Sequence, residues 1–295
     1  MICEQRTMQP QRNCIWNFLR SSLAALWLIN FASAGPPEGV PESAQRLTGS
    51  GVDKLESWTH EDKLYVVLAM PSGGDSIRLP RLANVLKTIH WLSEPDSKLQ
   101  LLPEPQHWVI KLGDSSPTSA SIIEMKFDGP PVIFDPSLVV RPDAENMILL
   151  PAKLATTKGE NLRYEPQPHK DTVGYWSNPK DTAEWHFAVN TTGLYDIDIL
   201  QGCGKGHGGS RVEVRITDET LSFEVQETGH FQNFIWRTLG RVRLAETEST
   251  SLILVPQTKP AGAVMDVRAM RICPVGSKRE TEPQLAAPDL LPKAE

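Results

Sequence analysis

Every apolar run in this chain is short, and a turn signal closes each one. Lys63–Met70 (KLYVVLAM) stops at Pro71-Ser72-Gly73-Gly74, Val85–Leu92 (VLKTIHWL) at Glu94-Pro95-Asp96, His107–Leu112 (HWVIKL) at Gly113-Asp114, and Ile122–Phe127 (IIEMKF) at Asp128-Gly129-Pro130-Pro131. Runs of this length, bounded by Pro, Gly and Asp, form strands and not helices, because nothing in them sustains a 3.6-residue period. The 24 Pro and 20 Gly of the 295 residues reinforce that bias. The chain reads as all-β, two antiparallel β-sandwich domains.

The second half alternates cleanly. Trp185, Phe187 and Val189 oppose Glu184, His186 and Ala188; Val212, Val214 and Ile216 oppose Glu213 and Arg215; after a turn at 217–220, Leu221, Phe223 and Val225 oppose Ser222, Glu224 and Gln226. Such segments have one buried face and one wet face. Leu194, Asp196 and Asp198 similarly alternate with Tyr195, Ile197 and Ile199, which places the two aspartates on a wet face. About eight strands in this length fit a jelly roll. Trp91, Trp108 and Trp185 lie inside apolar strands and read as core. Trp176, in the turn-like Gly174-Tyr175-Trp176-Ser177-Asn178-Pro179, reads as a surface aromatic or as core.

The ends read differently. Residues 1–34 carry Arg6, Arg12 and Arg20, a short apolar run from Leu23 to Phe31, and a small-x-small site at Ala32-Ser33-Ala34. This is the pattern of a cleaved signal peptide, and it predicts a secreted or periplasmic product; an uncleaved anchor is the alternative. The expected layout is signal 1–34, linker 35–51, β-domain 52–134, linker 135–146, jelly roll 147–274 and a disordered tail 275–295. No stretch of 18 or more apolar residues exists, which excludes a transmembrane bundle. The net charge of −6 argues against nucleic acid as a partner.

Chemical motifs are sparse. No HExxH, CxxC pair, phosphate loop or GxSxG occurs, so no catalytic residue, metal site or cofactor is assigned. Gly202–Gly209 holds Cys203 and His207, too few ligands for a metal, and reads as a tight glycine-rich turn. Cys203 and Cys273 could pair in an oxidising compartment, or remain two buried thiols.

Two stretches resemble known families. Residues 58–129 resemble the C-terminal β-domain of α-L-fucosidases through Trp58-Thr59, Lys63-Leu64-Tyr65-Val66, Ile77-Arg78-Leu79-Pro80 and Ile122–Phe127. Residues 147–274 resemble a galactose-binding-like jelly roll, the carbohydrate-binding type appended to secreted glycosidases and sulfatases. The carriers are Gly174–Asn178, Ala183–Phe187, Gly193–Asp196, Thr228–Phe234 and Val264–Val267.

The second resemblance implies a sugar gripped by Tyr175 or Trp176 and by Phe231 or Phe234, with His230, Asn233 and Asp266 meeting its hydroxyls. Phe stands where Trp is usual, and Leu149-Leu150-Pro151-Ala152 lacks the calcium-site acid of such modules. The first resemblance implies a catalytic (β/α)₈ barrel of ~250 residues ahead of residue 58. Only 23 residues separate Ala34 from Trp58. The expectation is a noncatalytic accessory protein whose partner is a glycan, fucose-containing ones included, or a catalytic barrel in trans. The alternatives are a truncated fucosidase-type glycoside hydrolase and an envelope protein that binds protein.

Overall fold

The computed structural model describes residues 35–48, 55–68, 75–113 and 121–279. The leader expected at 1–34 and residues 280–295 of the expected tail lie outside them. The first block contains β1 (Gln45–Arg46), β2 (Glu56–His60), β3 (Lys63–Leu68), β4 (Ser76–Pro80), β5 (Leu86–Trp91), β6 (Gln100–Pro103), β7 (His107–Lys111) and β8 (Ser121–Phe127). They form a five-stranded sheet, β1-β2-β3-β8-β5, and a three-stranded sheet, β4-β7-β6. Trp108, Ile110, Ile123, Met125 and Phe127 are sealed in the core.

The second block contains β9 (Val139–Val140), β10 (Ile148–Pro151), β11 (Thr156–Lys158), β12 (Arg163–Glu165), β13 (Thr172–Gly174), β14 (Thr182–Val189) and β15 (Gly193–Gly202). It continues with β16 (Arg211–Ile216), β17 (Glu219–Glu224), β18 (Ile235–Leu244), β19 (Thr247–Pro256) and β20 (Asp266–Pro274). One sheet runs β12-β13-β20-β15-β18, with β10 beside β20. The other runs β11-β14-β19-β16-β17, with β9 beside β14. Their inner faces meet through Ile197, Ile199, Met270 and Ile272 on one side and Trp185, Phe187, Leu252 and Val214 on the other. The β16–β17 hairpin closes through Thr217 and Asp218, with Thr217 at φ +51, as the two-residue hairpin geometry demands. The fold is all-β with antiparallel sheets, as expected. Among the described residues the only helix is a 3-10 turn at Ala152–Leu154, and none is long and apolar enough to cross a membrane.

The expected connectors carry structure. Within 35–51, β1 pairs with β2 and Val40 and Ala44 are buried. Within 135–146, β9 pairs in parallel with β14. Both segments contain residues that satisfy a sheet edge, which proline spacing does not disclose. One cluster of buried apolar side chains runs through both blocks. Arg81, 1% exposed, crosses between them: Nη1 donates to the Ala155 carbonyl (2.7 Å), Nη2 to that of Lys153 (3.0 Å), and the guanidinium lies 3.9 Å from the Phe134 ring. Burial lowers its pKa to about 9.

The aspartates of β15 depart from the expected wet face. Asp198 is 1% exposed, and Asp196 is also buried. Arg271 of β20, Arg241 and Thr238 of β18, and Arg279 beyond β20 cover them. Strand alternation identifies the outer face but cannot say what lies over it. The tail expected to be disordered from 275 instead turns at Gly276 (φ +88) and Ser277 and brings Arg279 back onto this face.

Cys203 and Cys273 are both buried free thiols. Gly202, just before Cys203, pairs with Asp266, whereas Cys273 pairs with Asp196. Seven residues of strand therefore separate them along the ladder, about 20 Å, where a disulfide needs Cα atoms within about 7 Å.

Candidate functional site

At one end of the β12-β13-β20-β15 sheet, the outer face gathers side chains that lie far apart in the sequence. The registers Arg163↔Gly174 and Gly202↔Asp266, with β13 beside β20, bring four strand ends together. Alternation turns Tyr164, Val173 and Val267 into the core, and so turns Arg163, Glu165, Gly174 and Asp266 outward. A methyl group on Gly174 would sit 2.8 Å from Glu165 Oε2 and 2.9 Å from Asp266 Oδ1, so any side chain here would have to displace the two carboxyl groups. Both oxygens crowd one point and stand no more than about 6 Å apart.

The two carboxyl groups are neutralised differently. Lys170 Nζ lies 2.7 Å from Glu165 Oε1. Asp266, 5% exposed, accepts a hydrogen bond from the Gln232 side chain. Burial, and then the charge of Glu165, push its pKa up to about 8, so at neutral pH it is mostly protonated. A protonated carboxyl can both donate and accept. Burial, and then Lys170, lower the pKa of neighbouring His169.

Tyr175 follows Gly174 with φ +58 and is 55% exposed. A left-handed tyrosine costs roughly 1–2 kcal/mol and breaks the strand alternation. Its ring therefore stands at the sheet end while Trp176 goes inward. The Arg163 guanidinium covers one ring face at 3.9 Å. Across the site, the half-buried Phe234 carries the Arg268 guanidinium at 4.0 Å and packs beside Gly202. Arg268 is fixed by the carbonyls of Lys170 (Nη2, 2.6 Å; Nε, 3.1 Å) and His169 (3.1 Å).

Of the expected residues, the structure brings together Tyr175, Phe234 and Asp266. Trp176 is 0% exposed: its Nε1 donates to the Asp181 carbonyl at 3.1 Å and its own carbonyl accepts from Val264 N. It is a core residue and cannot stack on a sugar. Phe231 lays its ring on Gly204 and against His207, and its carbonyl abuts Gly202. Exposed His230 and Asn233 hold their own loop: His230 Nδ1 accepts from Gln232 N (3.2 Å), and Asn233 Nδ2 donates to the Thr228 carbonyl. The glycine-rich turn is packed likewise, with His207 Nδ1 accepting from Ala263 N and Glu227 Oε1 from Gly206 N.

The residues that sequence reasoning missed are Arg163, Glu165, Lys170, Gln232 and Arg268. The pairing of β12 with β13, and of β13 with β20, is what delivers most of them. Among the described residues, no three His, Cys, Asp or Glu side chains converge as a metal-ligand set.

No family model matches the sequence, and no curated protein matches it. Solved structures that it is similar to include an α-L-fucosidase from Vibrio sp. strain EJY3 (16% identity, 72% of this chain, TM-score 0.31). Another is the C-terminal family 6 carbohydrate-binding module of LamC from Zobellia galactanivorans (17% identity, 43% of this chain and 99% of that one, TM-score 0.36). A third is a family 35 carbohydrate-binding module from an environmental isolate (13% identity, 43% and 93%, TM-score 0.36). The chain spans 38% of the length of the fucosidase.

Proposed function

We propose that this chain is a secreted, noncatalytic glycan-binding accessory protein that grips a saccharide at the strand-end site. The observation that carries the reading is Tyr175, a half-exposed aromatic ring held out in a costly backbone conformation beside buried, hydrogen-bonding carboxyl groups. The free face of an aromatic ring suits the C–H face of a pyranose. Asp266, as donor and acceptor, and Gln232 suit its hydroxyls. Strain at an exposed aromatic has no benefit to packing, and functional sites are where such strain is retained.

The Glu165–Asp266 pair is read as hydroxyl-binding and not as a hydrolytic pair. Both side chains are buried, and Glu165 is already committed to Lys170. A relationship to α-L-fucosidases, and service to a catalytic barrel in trans, remain parts of this proposal drawn from the resemblance of residues 58–129.

Native affinity electrophoresis of the chain in gels holding fucose-rich, xylan-type, sulfated or control polysaccharides tests the reading. At least one polysaccharide should retard it, and Tyr175→Ala should abolish that retardation while leaving the thermal midpoint nearly unchanged. Unchanged mobility in every gel would sink the proposal. Trp176 is no use as the test position, since its truncation removes core.

A further inference from the structure

The hairpin that presents the site is sparsely paired to its own sheet. β12 is an edge strand and meets β13 over three residue pairs, while β13 meets β20 at one pair, Val173↔Val267. A two-stranded hairpin left to itself is marginal in water. Yet this one carries Arg163, Glu165 and Gly174, and Tyr175 follows directly. Arg163 lies against the Tyr175 ring, and its buried Nε has no hydrogen-bond partner, so that nitrogen ties the hairpin to nothing. The second block holds the hairpin at its ends. Asp181 accepts from the backbone N–H groups of Glu160, Asn161 and Leu162, and Arg268 donates to the carbonyls of His169 and Lys170.

The first block holds it in between. Leu86 N, at the start of β5, donates to the Pro166 carbonyl at 2.8 Å, one residue past Glu165. Tyr164 is 0% exposed, and its hydroxyl lies 2.9 Å from Asp171 Oδ1 and 3.3 Å from the Asn84 carbonyl oxygen. Asp171 stands at φ +40 immediately before β13. The phenol therefore joins both strands of the hairpin to one point of the first block. Asn84, itself buried, is fixed by its own amide: Nδ2 donates to the Pro130 carbonyl (3.0 Å) and Oδ1 accepts from Val132 N (2.8 Å). Both partners lie in the segment that follows β8. A phenylalanine at 164 would fill the same core space, so what the hydroxyl adds is the link.

We infer that the first block is a working part of the strand-end site: through Asn84 and Leu86 it holds the β12–β13 hairpin in place, and Tyr164 is the positioning residue that carries this to Tyr175. This rests on the glycan-binding reading above and gives the first block a role in it. A ring presented by a sparsely paired hairpin needs such support, because a binding group misplaced by about 1 Å loses its contacts.

The test uses the full chain and a polysaccharide that retards it, with dissociation constants taken from gels of graded polysaccharide content, well below the unfolding temperature. Tyr164→Phe should bind about fivefold more weakly, the effect of one lost hydrogen bond. Asn84→Ala, a change confined to the first block, should weaken binding by about twofold or more through the same link. Val214→Ala, a core truncation on the opposite sheet, should lower the thermal midpoint and leave affinity unchanged. Without polysaccharide, amide hydrogen exchange across 172–176 should quicken in Tyr164→Phe and Asn84→Ala and not in Val214→Ala. Native affinity in folded Tyr164→Phe, an equal loss of affinity in Val214→Ala, or a loss without faster exchange across 172–176 would each overturn the inference and leave the glycan reading standing. Should Tyr164→Phe fail to fold, the same outcomes are read from Asn84→Ala. A native chain that binds no polysaccharide would remove both readings.

Discussion

Two pairs of carboxyl groups are buried on the outer face of the same sheet, and they are treated in opposite ways. Asp196 and Asp198 on β15 are saturated. Asp198 accepts from Thr238 Oγ1 (2.8 Å), Arg271 Nη2 (3.0 Å) and Arg279 Nη1 (3.1 Å); Asp196 accepts from Arg241 Nε (2.8 Å) and from Arg279. Glu165 on β12 and Asp266 on β20 share one lysine and one amide, and a retained proton does the rest. Of the arginines near this second pair, Arg163 lies over the Tyr175 ring, and Arg268 lies over Phe234 while donating to the carbonyls of His169 and Lys170. Full compensation marks a pair that holds the fold together. Incomplete compensation, next to an exposed ring and an orphaned donor, is the setting on which the proposed binding site rests.

The comparison is broken most directly at Asp198. Asp198→Ala leaves Arg271, Arg279 and Thr238 without their shared acceptor in a nearly solvent-free position. Removing one partner of a buried ion pair costs about 3–5 kcal/mol. Urea unfolding should therefore show a large fall in midpoint. A change below about 1 kcal/mol, of the order of an exposed ion pair, would mean that the first pair is no scaffold.

A smaller effect separates the second pair. The pKa of Asp266 is about 8 in the folded chain, against an ordinary 3.8. Between those values the folded state keeps a proton that the unfolded state has lost. Stability contributed by the protonated form is thus complete below pH 4, declines as pH rises, and is gone above pH 8. The stability of the native chain minus that of Asp266→Asn should decline across this window by on the order of a few kcal/mol. A flat difference would mean that Asp266 titrates normally and that the two pairs are compensated alike.

What the sequence discloses follows from how local each feature is. The alternation of Trp185 and Phe187 with Glu184 and His186 is local, and so is the β16–β17 turn; both could be read from neighbours. Trp91, Trp108 and Trp185 went to the core for the same reason. Tyr175 and Trp176 could not be told apart, because a single positive φ at Tyr175 decides which ring points out, and no propensity records it. Asp266 was legible only through resemblance. Glu165, Lys170 and Arg163 were invisible, since only the order β12-β13-β20 carries them to Asp266. The cover over Asp196 and Asp198 was hidden in the same way, being supplied by β18, β20 and a returning tail.

Arg279 gives the finest test, because it joins the saturated pair from outside the sheet. Its guanidinium reaches Asp196, Asp198 and the Thr238 hydroxyl, yet its side chain is 28% exposed. Without it, Asp196 keeps Arg241 and Asp198 keeps Arg271 and Thr238, so no carboxylate is abandoned. Solvent takes over part of what Arg279 supplied. Arg279→Ala should therefore cost only about 1 kcal/mol, the upper range for an accessible ion pair, and should leave retardation by polysaccharide untouched. Loss of retardation in this variant would move the ligand from the strand end to the middle of the outer face. It would also make the β15 aspartates, and not the Glu165–Asp266 pair, the acids that matter for binding.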